Sequence, residues 1–155
     1  MNQVSPAALP GSAIVEPATW RDLNSLRNLE KVCFPLDVWP LWDMVGVLTF
    51  PGVVRLKATR DGELAGFIAA DIRRSENSAW ISTLGVLPAF RRQGLATTLL
   101  RACEAQLQVP RIRLSVRASN LAALRLYSQF GYKQQGIWSE YYSDGEDAWV
   151  LEKAL

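Results

Sequence analysis

Phe90-Arg91-Arg92-Gln93-Gly94-Leu95-Ala96-Thr97 lies between a strand-like run, Ala79 to Leu87, and a helix-like run, Leu95 to Leu107. A basic, glycine-containing turn that opens a helix is a natural seat for a phosphate. The first amides of a helix have no internal partner and point outward. The positive end of the helix dipole attracts an anion, and Gly94 lets the backbone approach closely. Arg91 and Arg92 add charge and forked donors suited to a pyrophosphate. On physics alone the turn is an anion site or a solvated basic turn before an amphipathic helix.

On either side of this turn the pattern alternates between strands and helices. Ala13 to Pro17 reads as a short strand, and Leu23, Leu26, Leu29, Val32 and Cys33 recur at helical spacing until Pro35 stops them. Trp39 to Leu48 reads as a second short helix. Val53 to Thr59 and Leu64 to Arg73 read as strands joined through Asp61-Gly62, a strong hairpin signal. Ser78 to Leu87 is a third long strand, ended by Pro88. After the helix from Leu95, Arg111 to Val116 reads as a strand. Ser119 is placed to cap a helix from Asn120 to Phe130, closed by Gly131. Tyr132 to Tyr142 and Ala148 to Leu155 read as final strands around Ser143-Asp144-Gly145-Glu146. The order β-α-α-β-β-β-α-β-α-β-β predicts a mixed α/β sheet with helices on its faces.

The 155 residues suit one domain, with 49% apolar residues and mixed charge. A net charge of +2 gives no argument for nucleic acid or membrane, and no run approaches the ~20 apolar residues that span a bilayer. Cys33 and Cys103 sit in apolar, helix-like settings and read as core thiols, which fits a reducing, cytoplasmic location. With no histidine and two cysteines, no metal cluster of the usual kind can be drawn, and a histidine base is excluded. Residues 1–12 read as a flexible tail without signal-peptide character, and 13–155 as the domain.

The pattern Arg-x-x-Gly-x-Ala after Leu84-Gly85-Val86-Leu87-Pro88 resembles the acetyl-CoA-binding motif of the GNAT acetyltransferases. A second block, Leu114-Ser115-Val116-Arg117-Ala118-Ser119-Asn120 followed by Ala123, Leu126-Tyr127 and Phe130-Gly131-Tyr132, is similar to another motif of that family. Tyr141-Tyr142, Gly145 and Asp147-Ala148 resemble the ending of the Nα-acetyltransferases, notably the RimI-like branch that acetylates ribosomal protein N-termini. The resemblance implies the GNAT acyl-CoA N-acyltransferase fold, with about seven strands and about four helices. It also implies acetyl-CoA as cofactor and a peptide or protein N-terminus as acceptor, in a monomer or homodimer.

By the same resemblance, backbone groups of Leu84 and Val86 bind the pantetheine amide and face the acetyl oxygen. The turn from Arg91 and Arg92 through Gln93, Gly94, Leu95, Ala96 and Thr97 holds the phosphates, and Asn120 bonds the pantetheine arm. Tyr127 matches the general acid, and a phenol of pKa ~10 is protonated at neutral pH. Phe34, Pro35 and Leu36, with Tyr141 and Tyr142, match the walls of the peptide groove, to which Trp39, Trp42 and Trp138 could add.

The departure is at Ser115, where the resembling enzymes carry glutamate or histidine as base. A second assisting position, a tyrosine in one branch, is Trp80 here. Three explanations stay open: a Ser115-ordered water relaying to a carboxylate such as Glu140, an acceptor that arrives already deprotonated, or loss of rapid catalysis. The reading is therefore direct acetyl transfer to an N-terminal amine. The alternatives are a small-molecule amine acetyltransferase, whose polyamine version would use Asp144, Glu146 and Asp147, and a catalytically weak acyl-CoA-binding domain.

Overall fold

The computed structural model describes residues 13–155; the expected N-terminal tail lies outside the described residues. The elements in order are β1 (Ile14–Pro17), α1 (Leu23–Cys33), α2 (Leu41–Thr49), β2 (Val53–Arg60), β3 (Glu63–Arg73), β4 (Ser78–Val86), α3 (Leu95–Gln106), β5 (Arg111–Arg117), α4 (Leu121–Gln129), β6 (Lys133–Trp138) and β7 (Ala148–Ala154). They form one seven-stranded sheet in the order β1-β2-β3-β4-β5-β7-β6. The expected mixed α/β fold and its element order are found.

Alternation along β3 explains the two layers. Phe67 and Ala69 face a cluster with Leu26, Leu29, Met44 and Leu48 from α1 and α2. Ile68 and Ala70 face the opposite cluster, with Leu99, Leu100 and Cys103 from α3. A strand buried on both faces reads as a continuous apolar run, as this one does. Asp61 and Gly62 both take positive φ, 51° and 78°, the geometry of a tight hairpin turn. Among the described residues no helix is long and apolar enough to cross a membrane.

Three local expectations are corrected. The helix expected from Trp39 begins at Leu41, because Pro40 disfavours helical geometry in the residue before it. Asn120, not Ser119, caps α4: its side chain accepts the Ala123 N–H at 3.2 Å. The Ser119 hydroxyl is taken by Glu146, at 2.9 Å. The strand expected to reach Tyr142 ends at Trp138, and Glu140 at φ 52° turns the chain.

The feature that positions the site is a fork in the sheet. β4 and β5 run parallel but pair only at Ser78–Arg111, Ala79–Ile112 and Trp80–Arg113. Beyond Trp80 the strands part. A bulge helps: Ala70 pairs Ile81 and Ala69 pairs Thr83, so Ser82 is left over and the strand bends.

Candidate active site

The turn before α3 is built to accept an anion. Arg92 and Gly94 both take positive φ, 61° and 76°. The backbone N–H groups of Arg92, Gln93, Gly94, Leu95, Ala96 and Thr97 have no acceptor among the described residues; the first helical bond is Thr98 N–H to Gly94 carbonyl, at 3.0 Å. A methyl group placed on Gly94 would meet nothing within 4 Å, so the backbone there is open on its Cβ side. Arg91 lines the space beside this turn, and its Nε donates to the Val86 carbonyl at 2.9 Å, which also braces the end of β4.

A cleft of about 560 Å³ runs from this turn along the fork, past Leu84 and Val86, to Asn120, Ala123 and Tyr127 on α4. Leu87 N–H bonds the Ala65 carbonyl on β3. Because strand groups alternate, those of Leu84 and Val86 face away from β3, into the fork. The Val86 carbonyl is occupied by Arg91 and by the Cys33 thiol at 3.4 Å, which leaves its N–H as the free group there. Gly85 lets α1 close on β4: a methyl there would lie 3.2 Å from Leu29 and Phe34 and 3.3 Å from Cys33.

A second cleft of about 240 Å³ opens on the other side of Tyr127 and shares Phe34, Leu84, Asn120, Ala123 and Tyr127 with the first. Ser115, Trp39, Tyr141 and Tyr142 line it. Pro35, Leu36 and Trp42 do not; Leu36 and Trp42 are exposed on the outside of the loop and of α2. Trp138 is not in its wall but stacks between Trp80 and Tyr141, at 5.8 and 5.0 Å between ring centres. Gln93 contributes backbone to the turn without lining the first cleft.

Tyr127 is buried where the two clefts meet. Its carbonyl accepts the Tyr132 N–H at 3.0 Å in the cap that Gly131 completes, and the two phenol rings pack edge to face at 5.4 Å. Burial, with the neighbouring Cys103 adding to it, pushes the Tyr127 phenol well above its ordinary value. It therefore stays protonated at neutral pH. Burial likewise pushes the Cys103 thiol up to about 12, so that residue is a core thiol.

Two side chains missed in the sequence organise the second cleft. Arg117 sits at its edge, with Nε and Nη2 on the Asp37 carboxylate at 2.8 and 2.7 Å. Its Nη1 bonds Asp144 at 2.9 Å and Glu146 at 3.0 Å, and its guanidinium lies 4.1 Å from the centre of the Tyr142 ring. One cation thus ties the α1–α2 loop to the β6–β7 loop. This also corrects the acidic-pocket expectation, since Asp144 and Glu146 are consumed by Arg117 and Asp147 accepts the Glu140 N–H at 2.9 Å. Burial, then the charge of Asp37, raises the Tyr142 phenol, against the hydrogen bond of Ser115 and the charge of Arg117.

The other is Glu30, which is 1% exposed and lines the second cleft. Thr83 on β4 donates to its Oε1 at 2.8 Å. Burial raises its carboxyl above the ordinary range, and the Thr83 hydrogen bond acts against that. The signal for it was a carboxylate on the buried stripe of α1, one turn past Leu26. Glu140, by contrast, is exposed on its turn and outside both clefts. Trp80 offers only an N–H donor, buried and without a partner among the described residues.

A forked mixed sheet with an open amide turn and a buried phenol between two clefts defines an acyl-transfer enzyme that takes its acyl group from a long, phosphate-bearing carrier. The acetyltransferase (GNAT) family model matches residues 23–132, and the chain belongs to that family. It is 30% identical to the catalytic subunit of the N-terminal acetyltransferase A complex of Arabidopsis thaliana, over 91% of this chain and 77% of that protein. It is 27% identical to the N-alpha-acetyltransferase of Saccharolobus solfataricus, over 86% of this chain and 88% of that one. Among solved structures, the ribosomal-protein-S18-alanine N-acetyltransferase of Escherichia coli superposes with a TM-score of 0.81 at 26% identity, covering 92% of this chain and 93% of that one.

The enzyme uses acetyl-CoA, and the site fits it. The open amides of residues 92–97 suit the pyrophosphate, and the outward-facing strand groups of Leu84 and Val86 suit the amide-bearing arm. Acetyl-CoA supplies an activated acetyl thioester whose carbonyl carbon an amine can attack.

Proposed function

We propose that the protein is an Nα-acetyltransferase acting on peptide or protein N-termini. The observation that carries the reading is the meeting of the two clefts at Tyr127, with the second walled by Phe34 on one loop and Tyr141-Tyr142 on the other. Holding amine and thioester at one point supplies much of the acceleration by itself. The Val86 N–H faces the developing oxyanion, and Tyr127 protonates the departing sulfur. Asn120, whose Oδ1 is held by the Ala123 N–H, keeps its amide NH₂ for the pantetheine arm. Tyr141 and Tyr142 receive the first backbone groups of the peptide.

Ribosomal protein N-termini are the first acceptors to test, on the likeness to the Escherichia coli enzyme. Free amino acids form a second class with the same α-amine; the chain is 27% identical to the L-amino acid N-acetyltransferase of Escherichia coli, over 83% of this chain. The commitment of Asp144 and Glu146 to Arg117 counts against polyamines. The test is mass spectrometry of a peptide carrying both a free N-terminus and an internal lysine. Acetyl on the α-nitrogen supports the reading; acetyl confined to the lysine overturns it.

A further inference from the structure

We propose that Glu30 accepts the proton of the substrate ammonium, in place of the base that Ser115 cannot be, with Thr83 holding its carboxyl toward the acceptor cleft. This rests on the acceptor reading above and deepens it. Its ground is the position of Glu30: a buried carboxylate that lines the same cleft as Ser115, Tyr127, Tyr141 and Tyr142. Among the described residues, only Thr83 hydrogen-bonds the carboxyl, and it does so through Oε1. The carboxyl keeps acceptor capacity for an ammonium or for one bridging water.

A carboxylate left buried without a cation is costly, and the inner face of α1 is otherwise packed among Leu26, Leu29, Met44, Leu48 and Phe67. The one cation lining the acceptor cleft, Arg117, is committed to Asp37, Asp144 and Glu146, while Arg91 and Arg92 line the other cleft at the anion turn. The substrate's ammonium supplies the missing positive charge. The titratable groups facing the same clefts are Asp37 and Arg117, the phenols of Tyr127, Tyr141 and Tyr142, Cys33 on the last turn of α1, and Arg91 and Arg92 at the anion turn. Burial, with Glu30 contributing, holds the Cys33 thiol protonated at neutral pH. Glu30 is the groove's only carboxylate free of an Arg partner among the described residues.

The step balances. The α-ammonium gives one proton to Glu30, and the freed lone pair forms the C–N bond as the C–S bond breaks. The bonding pair leaves with sulfur, which takes the Tyr127 proton. The second nitrogen proton is lost as the amide forms and, through solvent, restores Tyr127. Glu30 returns its own proton to water.

Glu30→Gln keeps the shape and the oxygen that accepts from Thr83. Since about a tenth of an α-amine is free base at pH 7, kcat/KM falls about tenfold at pH 7 and recovers toward wild type at pH 9. Acetyl-CoA affinity, measured by calorimetry, stays within twofold. The melting temperature at pH 8 rises relative to wild type, because the buried charge is gone. Its folded-state pKa is raised, so the stability Glu30 contributes is complete at acid pH and lost as pH rises through the folded value.

A loss equal at every pH, with a lower melting temperature, assigns Glu30 a structural role and overturns the proposal, as does unchanged activity at pH 7. If Glu30→Gln does not fold, Thr83→Val answers the same question. Removing the hydrogen bond that lowers the Glu30 pKa moves the acidic limb of kcat/KM upward, and Thr83→Ser restores it; a fixed limb overturns the proposal. The ratios are read on whichever amine the wild type acetylates, so the wrong acceptor class is detected separately.

Discussion

Arg117 on β5 and Asp37 after α1 are 80 positions apart in sequence and joined by two parallel hydrogen bonds of 2.7 and 2.8 Å. The planar guanidinium matches the carboxylate fork, and its remaining nitrogen reaches the β6–β7 loop. The walls of the acceptor groove are therefore set relative to one another by one side chain.

Replacing Arg117 with Met keeps much of the apolar stem and removes the clamp. Asp37, Asp144 and Glu146 are then three carboxylates without their shared cation. We expect a loss of about 2 kcal/mol in stability, a KM for peptide raised tenfold or more, and an acetyl-CoA dissociation constant within twofold of wild type. Chemical denaturation with steady-state kinetics checks all three.

The same clamp weakens in acid. The backbone N–H of Glu146, then Arg117, holds the Asp144 carboxyl below the usual range, and Ser119 with Arg117 does so for Glu146. Groups with lowered folded-state pKa stabilise above the ordinary carboxylate range and lose that contribution as pH falls below it and through the lowered folded-state value. The Tyr142 N–H, bonded to the Glu146 carbonyl at 3.1 Å, should lose hydrogen-exchange protection below about pH 4. The Leu99 and Leu100 amides in α3 should keep theirs over the same range.

Tyr127→Phe removes the donor and keeps the buried ring and its packing on Tyr132. Loss of a general acid should slow turnover by roughly a hundredfold to ten-thousandfold, with acetyl-CoA affinity unchanged. Full turnover would remove Tyr127 from the chemistry.

Much of this site is legible in the sequence, and the limits of that legibility have physical causes. The amide turn is encoded locally, in Arg92-Gln93-Gly94, so the sequence carries it directly. The Arg117 clamp spans 80 positions and depends on three loops meeting, which periodicity cannot register. Glu30 sits on an apolar helical stripe, where a charge breaks the pattern; the break is visible, but its partner Thr83 is not. Ser119 fails as a cap because Glu146 competes for its hydroxyl, and only tertiary structure brings Glu146 there.

Gly94→Ala tests the anion turn. At φ 76° a side chain costs about 1 kcal/mol, so the substitution strains the turn that presents the amides although the methyl itself meets nothing within 4 Å. Acetyl-CoA binding should weaken at least tenfold while the sheet core, followed by far-ultraviolet dichroism, stays intact.

Gly85→Ala tests the closure of α1 on β4. The new methyl meets Leu29, Phe34 and Cys33 inside ordinary contact distance. A stability loss of about 1–3 kcal/mol should accompany a raised KM for the acceptor, because Phe34 lines both clefts.

The central claim is acetyl transfer to an N-terminal amine in a groove completed by this chain, and it is tested most directly by coenzyme A thiol release. The panel is peptides with free N-termini, the same peptides blocked at the N-terminus but carrying lysine, free amino acids and polyamines, from pH 6.5 to 9. The account predicts turnover with the free N-termini and none with the blocked peptides or polyamines. Turnover with lysine or polyamines but not with free N-termini would contradict it.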